Sequence, residues 1–204
     1  MPDALCALLD QIAGCRVCIE TPKGAALPHG PRPVLRISAT ARLAICGQAP
    51  GARVHASGVP FTDPSGVRLR DWMGVTTAEF YDASRVAIVP MGFCFPGNDA
   101  KGGDRPPRPE CAATWRARVF EHLPALELIL LVGGYAQAWH LGQAAGADLT
   151  STVRDWRRHA DAPARPRFVP LPHPSWRNNG WLKRNPWFDQ ELVPRLKQEV
   201  RAVM

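Results

Sequence analysis

Four of the 6 cysteines have a spacing suited to metal chemistry. Cys15-Arg16-Val17-Cys18 is a CxxC pair near the N-terminus, and Cys94 and Cys111 follow downstream around a Pro/Gly-rich stretch. Four thiolates suit a tetrahedral zinc or an iron–sulfur cluster, and spacing alone does not choose between them. A shared site would staple the N-terminal segment and the 92–110 loop onto the core. Cys6 falls on the apolar face of a helical pattern and Cys46 ends an apolar run, so both read as small hydrophobes. A second set of candidates is Gly47-Gln48-Ala49-Pro50-Gly51, Gly58-Val59-Pro60-Phe61 and a late His173-Pro174-Ser175. The first of these sits where an α/β protein often cradles phosphate. It lacks the Lys and hydroxyl of G-x-x-x-x-G-K-[ST] and the spacing of G-x-G-x-x-G. Pro50 also removes one backbone N–H, so phosphate cradling is the minority reading.

These residues must be positioned by the elements around them. Apolar runs at 42–46, 86–91, 126–132 and 167–172 read as four strands. Helical periodicity marks 3–13, 67–73, 110–122, 135–141 and 189–203, while 21–36 and 92–109 read as ordered Pro/Gly loops. Strands alternating with helices predict an α/β fold: a single layered domain over residues 1–204 with a central four-stranded, mostly parallel sheet flanked by helices. Ligands of such sheets bind beyond the carboxyl ends of the strands. Three of the four strands run into GQAPG, MGFCFPG and HPSWRNN, so the site is expected where those loops meet.

Read together, the motifs resemble the uracil-DNA glycosylase superfamily, most closely its iron–sulfur branch (family 4-like). Gly47 to Gly51, Gly58 to Phe61 and Pro64-Ser65-Gly66 are similar to motif A, and His173-Pro174-Ser175 to motif B. LLVGGYAQAWHL resembles the segment between them, and the four cysteines resemble that branch's cluster ligands. The resemblance implies a DNA glycosylase that hydrolyses the N-glycosidic bond of uracil, or of another deaminated base, to leave an abasic site in base excision repair. It implies a [4Fe-4S] cluster on Cys15, Cys18, Cys94 and Cys111, with structural zinc as the alternative.

The chemistry of the residues agrees. Excising a base requires it to leave the stack and enter a pocket with an aromatic face, donors for its oxygens and a placed water. Phe61 suits the stacking face, with Ala49, Met91, Gly92, Phe93 and Asn98 as further base-binding candidates. His173 suits a donor to uracil O2, a role typically worth about 3 kcal/mol in a transition state. Gln48 and His55 complete the catalytic candidates. Gln48 stands where the branch has Glu, and Ala49 where another branch has Asp, so His55 is the candidate for orienting or deprotonating water. Pro90 stands where the branch has an Asn that reads the uracil edge. Proline offers no amide, so reading is expected from backbone groups of 91–93 or from Asn98.

After motif B, WRNNGWLKRNPWF mixes cations with three Trp. Arg177, with Trp176 beside it, is the expected wedge into the duplex; Lys183 and Arg184 are expected on phosphates, as are Ser65 and Ser175. The formal net charge of +7 favours a polyanionic partner. The longest apolar run is too short to span a bilayer, and the first residues lack the basic region and cleavage site of an export signal. The expected setting is therefore a cytoplasmic monomer acting on DNA, without a membrane. Competing expectations are a lesion-binding iron–sulfur protein of the same fold with little hydrolysis, and a cluster-bearing nucleotide- or RNA-binding module.

Overall fold

The structure, a computed structural model, describes residues 2–204, with side chains from residue 4 onward. Four strands form one sheet: β1 Leu43–Cys46, β2 Val86–Ile88, β3 Leu128–Val132 and β4 Arg167–Leu171, in the order β2-β1-β3-β4. Every pairing is parallel; Leu43 aligns with Val86 and Leu128, and Leu128 with Arg167. The expected single α/β domain is present, and its sheet is parallel throughout.

The strands read as unbroken apolar runs because both faces of the sheet are covered. Leu43, Ile45, Val86, Ile88, Leu128, Leu130 and Val132 project to one side, against Trp72, Phe80, Phe188 and Leu196. Their neighbours Ala44, Cys46, Ala87, Val89, Ile129 and Leu131 project to the other, against Leu8, Ile12, Trp115 and Val119. The helices Pro2–Ala13 and Pro109–Glu121 cover this second face, and Pro64–Met73 and Val193–Val203 the first. The open edge of β2 is closed by an antiparallel bridge, with Arg36 N–H donating to the Ile88 carbonyl at 3.0 Å and Ile88 N–H to that of Arg36 at 2.7 Å.

Some helices depart from the expected bounds, each for a local reason. The helix expected from 67 begins at Pro64, because Asp63 caps it by accepting from the Ser65 and Gly66 N–H groups and proline suits the first helical position. The final helix starts at Val193 after a π-helical turn at Phe188–Leu192, where Pro194 withholds an N–H. The stretch after Gly51, expected as loop, contains the short helix Ala52–Ser57, ended by Gly58 in the left-handed region at φ 71°. Beyond their carboxyl ends the four strands lead into Gly47, Pro90, Gly133 and His173 on one side of the sheet.

Candidate active site and cysteine pocket

The loops after β1 and β2 are laced together. The Met91 N–H donates to the Gly47 carbonyl at 2.8 Å and the Gly92 N–H to that of Gln48 at 3.0 Å. Phe61 is the one non-glycine residue with positive φ, at 56°, among the described residues. Such a conformation costs on the order of 1–3 kcal/mol and persists only where neighbours impose it. Here the Tyr81 hydroxyl sits 2.8 Å from the Pro60 carbonyl and 3.2 Å from that of Phe61. Gly66 permits the turn, since a Cβ there would stand 1.9 Å from the Phe61 oxygen. The result brings the Phe61 ring beside Gly47, where an added Cβ would lie 3.5 Å from its Cζ.

A cavity of about 70 Å³ is lined by Gly47, Gln48, Ala49, Phe61, Asp63, Ser65, Pro90, Asp104 and His173. It adjoins a groove of about 640 Å³ whose walls include Arg53, Arg68, Ser175, Trp176 and Arg177. Asp63, Ser65, Asp104 and His173 belong to both. The Ser175 N–H donates to His173 Nδ1 at 3.2 Å, so a neutral ring carries its proton on Nε2. Burial lowers the His173 pKa below the ordinary value, against the pull of Asp63 and Asp104. At neutral pH the ring is therefore an uncharged Nε2–H donor. Its backbone is tied down as well, with Asn178 Nδ2 donating to the His173 carbonyl at 2.7 Å.

Of the sequence candidates, Gln48, Ala49, Phe61, Ser65 and His173 meet at the cavity, and Ser175, Trp176 and Arg177 at the groove. Trp176 is 72% exposed, the most protruding large apolar side chain among the described residues. Others are placed elsewhere. His55 lies on the helix Ala52–Ser57 with its ring against His29, centroids 4.2 Å apart, while Val54 of that helix lines the cavity. Met91 and Phe93 are buried in the second core layer. The N–H groups of Met91, Gly92 and Phe93 already have acceptors (Gly47 O, Gln48 O and Cys111 Sγ), so the expected reading of a base by these amides does not hold. Asn98 is exposed, donates to the Gly102 carbonyl at 3.1 Å and is not among the residues lining the cavity. Lys183 and Arg184 are exposed on the helix Asn179–Arg184, outside the groove wall.

Sequence reasoning missed Asp63, Asp104, Arg53 and Arg68. Asp63 had a readable signal, an Asp directly before a Pro-initiated helix. Asp104 had none, because it stands in an irregular loop. Arg116 was missed too: fully buried, it donates to the Pro90 carbonyl at 3.0 Å, the Val89 carbonyl at 3.3 Å and His140 Nε2 at 2.5 Å. It thus braces, from behind the sheet, the chain that leads into Pro90. Burial first, then the adjacent guanidinium, push the His140 pKa down to about 3.

Cys15, Cys18, Cys94 and Cys111 line one pocket with Ile12, Leu27, Phe93 and Trp115. Two of the sulfurs accept from an N–H group. Trp115 Nε1 donates to Cys15 at 3.3 Å and the Phe93 N–H to Cys111 at 3.3 Å. The Arg32 backbone N–H and the Arg108 guanidinium favour the thiolates of Cys94 and Cys18, against the stronger upward push of burial. Burial pushes the Cys94 and Cys111 thiols up to about 12, so in a bare pocket they stay protonated. Among the described residues, no three His, Cys, Asp or Glu side chains converge as ligands of a single ion. The four cysteines share one small pocket of about 10 Å³ instead, and their soft sulfurs are the donors here whose chemistry fits a cluster.

A family model described as the uracil DNA glycosylase superfamily matches residues 36–197. The match runs from the segment that closes the β2 edge to the C-terminal helix, and takes in every residue of the cavity except Val34. Cys15 and Cys18 lie outside it. With most of its length matched and the cavity built from the loops beyond the parallel strands, the chain belongs to the uracil DNA glycosylase superfamily, a family of glycosylase-type hydrolases that act on DNA.

Proposed function

We propose that the protein removes uracil from DNA by hydrolysing the bond between the base and deoxyribose C1′. The observation that carries this reading is His173, held neutral with Nε2–H as its available donor on the wall of a cavity that Phe61 also lines. As the glycosidic bond breaks, negative charge gathers on uracil O2. A preorganised neutral donor stabilises that charge without competing for a proton in the ground state. Phe61 presents a ring for stacking at the cavity wall, and the groove with Arg53, Arg68 and Arg177 suits the phosphates on either side of a flipped nucleotide. Trp176 is suited to fill the gap that the base leaves in the stack.

Pro90 supports a wider range of substrates, since it places no amide where the base edge would be read. Hypoxanthine and xanthine are therefore compared with uracil in the same assay. Oligonucleotides carrying each base, single- and double-stranded, are incubated with protein and treated with alkali to cut abasic sites. Scission at uracil is the expected result. Intact strands in both forms would falsify the assignment.

The four cysteines we assign to a [4Fe-4S] cluster in preference to zinc, on their sharing one pocket and on the N–H groups that support the sulfurs of Cys15 and Cys111. When bound, such a cluster supplies a structural cross-link and the positive charge that holds the thiols ionised. A broad visible absorption band in anaerobically purified protein is expected, with iron and sulfide in equal amounts. Zinc at one equivalent without iron would reverse the choice.

A further inference from the structure

A hydrolytic glycosylase needs a group to orient and deprotonate its water, and the segment 47–55 after β1 does not hold one at the cavity. Gln48 is no base, and its Nε2 is engaged with the Arg105 carbonyl at 3.4 Å. Ala49 has no functional group, and His55 is paired with His29 away from the cavity. The carboxylates at the cavity come from other positions, and they are not equivalent. Asp63 caps the helix Pro64–Met73, with its Oδ1 accepting from the Ser65 N–H, the Ser65 hydroxyl and the Gly66 N–H. Asp104 receives no hydrogen bond on its side chain from the described residues.

We infer that Asp104, on the loop between the third and fourth cysteines, is the catalytic base that positions and deprotonates the attacking water. This rests on the glycosylase reading above. Three features of the placement support it. The carboxylate is exposed at the mouth where cavity and groove meet, so it can be reached by a water beside an inserted sugar. It lies against the loop after β1, since a Cβ added to Gly51 would stand 3.4 Å from its Oδ2. Its loop is held in place: the Arg105 N–H donates to the Gly97 carbonyl at 2.9 Å, the Asp99 N–H to that of Gly103 at 2.7 Å, and Gln48 grips the Arg105 carbonyl. On this view Gln48 acts as a positioning residue for the loop that carries the base.

The step balances without any co-reactant. Water oxygen bonds to C1′ while one of its protons passes to the Asp104 carboxylate. The C1′–N1 bond breaks and its electron pair leaves with uracil, whose O2 is met by the His173 Nε2–H. The departing uracil anion then takes a proton, and Asp104 returns its own to solvent. The titratable and charged groups facing Asp104 are Arg177 and His173 from the segment after β4, Asp63 at the start of the helix Pro64–Met73, and Asp99 from its own loop. Desolvation raises the carboxyl above the ordinary aspartate value; Asp63 and Asp99 add to that, and Arg177 and His173 oppose it. A raised value suits a base, because a proton acceptor gains strength as its pKa approaches the working pH.

The test is single-turnover release of uracil by the full-length protein, measured across pH for wild type, Asp104→Asn, Asp104→Glu and Asp63→Asn. Asp104→Asn is expected to slow release by about 10²–10⁴-fold, the range for a lost general base. Binding to a duplex with non-hydrolysable 2′-fluoro-deoxyuridine should stay within about threefold of wild type, which separates lost chemistry from lost folding. The acid limb of the rate profile should lose the step due to Asp104, leaving only the His173 titration, and Asp104→Glu should retain a carboxylate step. An Asp104→Asn rate within about threefold of wild type overturns the assignment of the water alone. So does a loss seen in Asp63→Asn but not in Asp104→Asn. A wild type that leaves uracil in place overturns the substrate reading with it.

Discussion

The loop between Cys94 and Cys111 borders two pockets that treat their polar groups in opposite ways. At the cysteine pocket the sulfurs of Cys15 and Cys111 accept N–H groups from Trp115 and Phe93, and the rest of the lining apart from the cysteines is apolar. At the cavity the His173 proton, the Asp104 carboxylate and the second oxygen of Asp63 face solvent-filled space without protein partners. Satisfied groups hold a shape; unsatisfied groups are held ready for something that is not yet there. The difference shows how one irregular loop serves both purposes. Its ends carry Cys94 and Cys111 at the first pocket, and Asp104 lies between them at the second.

The most severe way to break this comparison is to remove the staple. Cys111→Ser should abolish the visible band and most of the soluble yield, because metal binding of this kind is folding free energy. If a folded fraction survives, its glycosylase activity should fall with it, since the 92–108 loop carries Asp104. Normal activity in a cluster-free variant would separate the two pockets completely. His173→Ala comes next, with a loss of about 10²–10³-fold in turnover and an unchanged melting temperature, since it removes one oriented donor from the cavity and no core packing. A wild-type rate in this variant would remove His173 from the chemistry.

Arg116 and His140 lie between these extremes, buried like the cysteines but supporting the chain that leads into Pro90. Folded His140 resists protonation down to about pH 3, whereas the unfolded imidazole takes a proton near 6.5. The unfolded state thus binds more protons in that window, and this contribution to stability falls as pH drops from about 6.5 toward 3. Melting temperature against pH should show a shallower acid slope in His140→Gln than in wild type. The smallest effect belongs to the groove rim. Arg53→Ala should weaken binding to all DNA sequences alike and reduce the slope of log affinity against log salt by about one. An unchanged slope would take Arg53 off the phosphate path.

The strands were legible because both sheet faces are covered, which leaves a continuous apolar signature at 42–46 and 126–132 that no other arrangement of short elements explains as simply. Phe61 was legible because Gly-Val-Pro-Phe stands in the Pro/Gly-rich stretch that follows β1, and His173 because His-Pro-Ser stands directly beyond β4. The short helix Ala52–Ser57 was not, since six residues carry no periodicity, and with it went the orientation of His55. The amides of 91–93 were misread for a related cause. Their availability depends on whether another loop supplies acceptors, and the carbonyls of Gly47 and Gln48 do.

From its residues alone this chain declares a parallel α/β sheet, a set of cysteines with grouped spacing and a His-Pro-Ser stretch directly beyond the last strand. Those follow from periodicity, spacing and local backbone restriction, which act over a few neighbouring residues. The tertiary structure decided which polar groups remain free. Asp104 is separated by dozens of residues from Gly51 and His173, and only the packing of loops beyond three different strands brings them to one mouth. Hydrogen-bond satisfaction is a property of the assembled surface, so a base stands out from a brace only once every competing partner is in place.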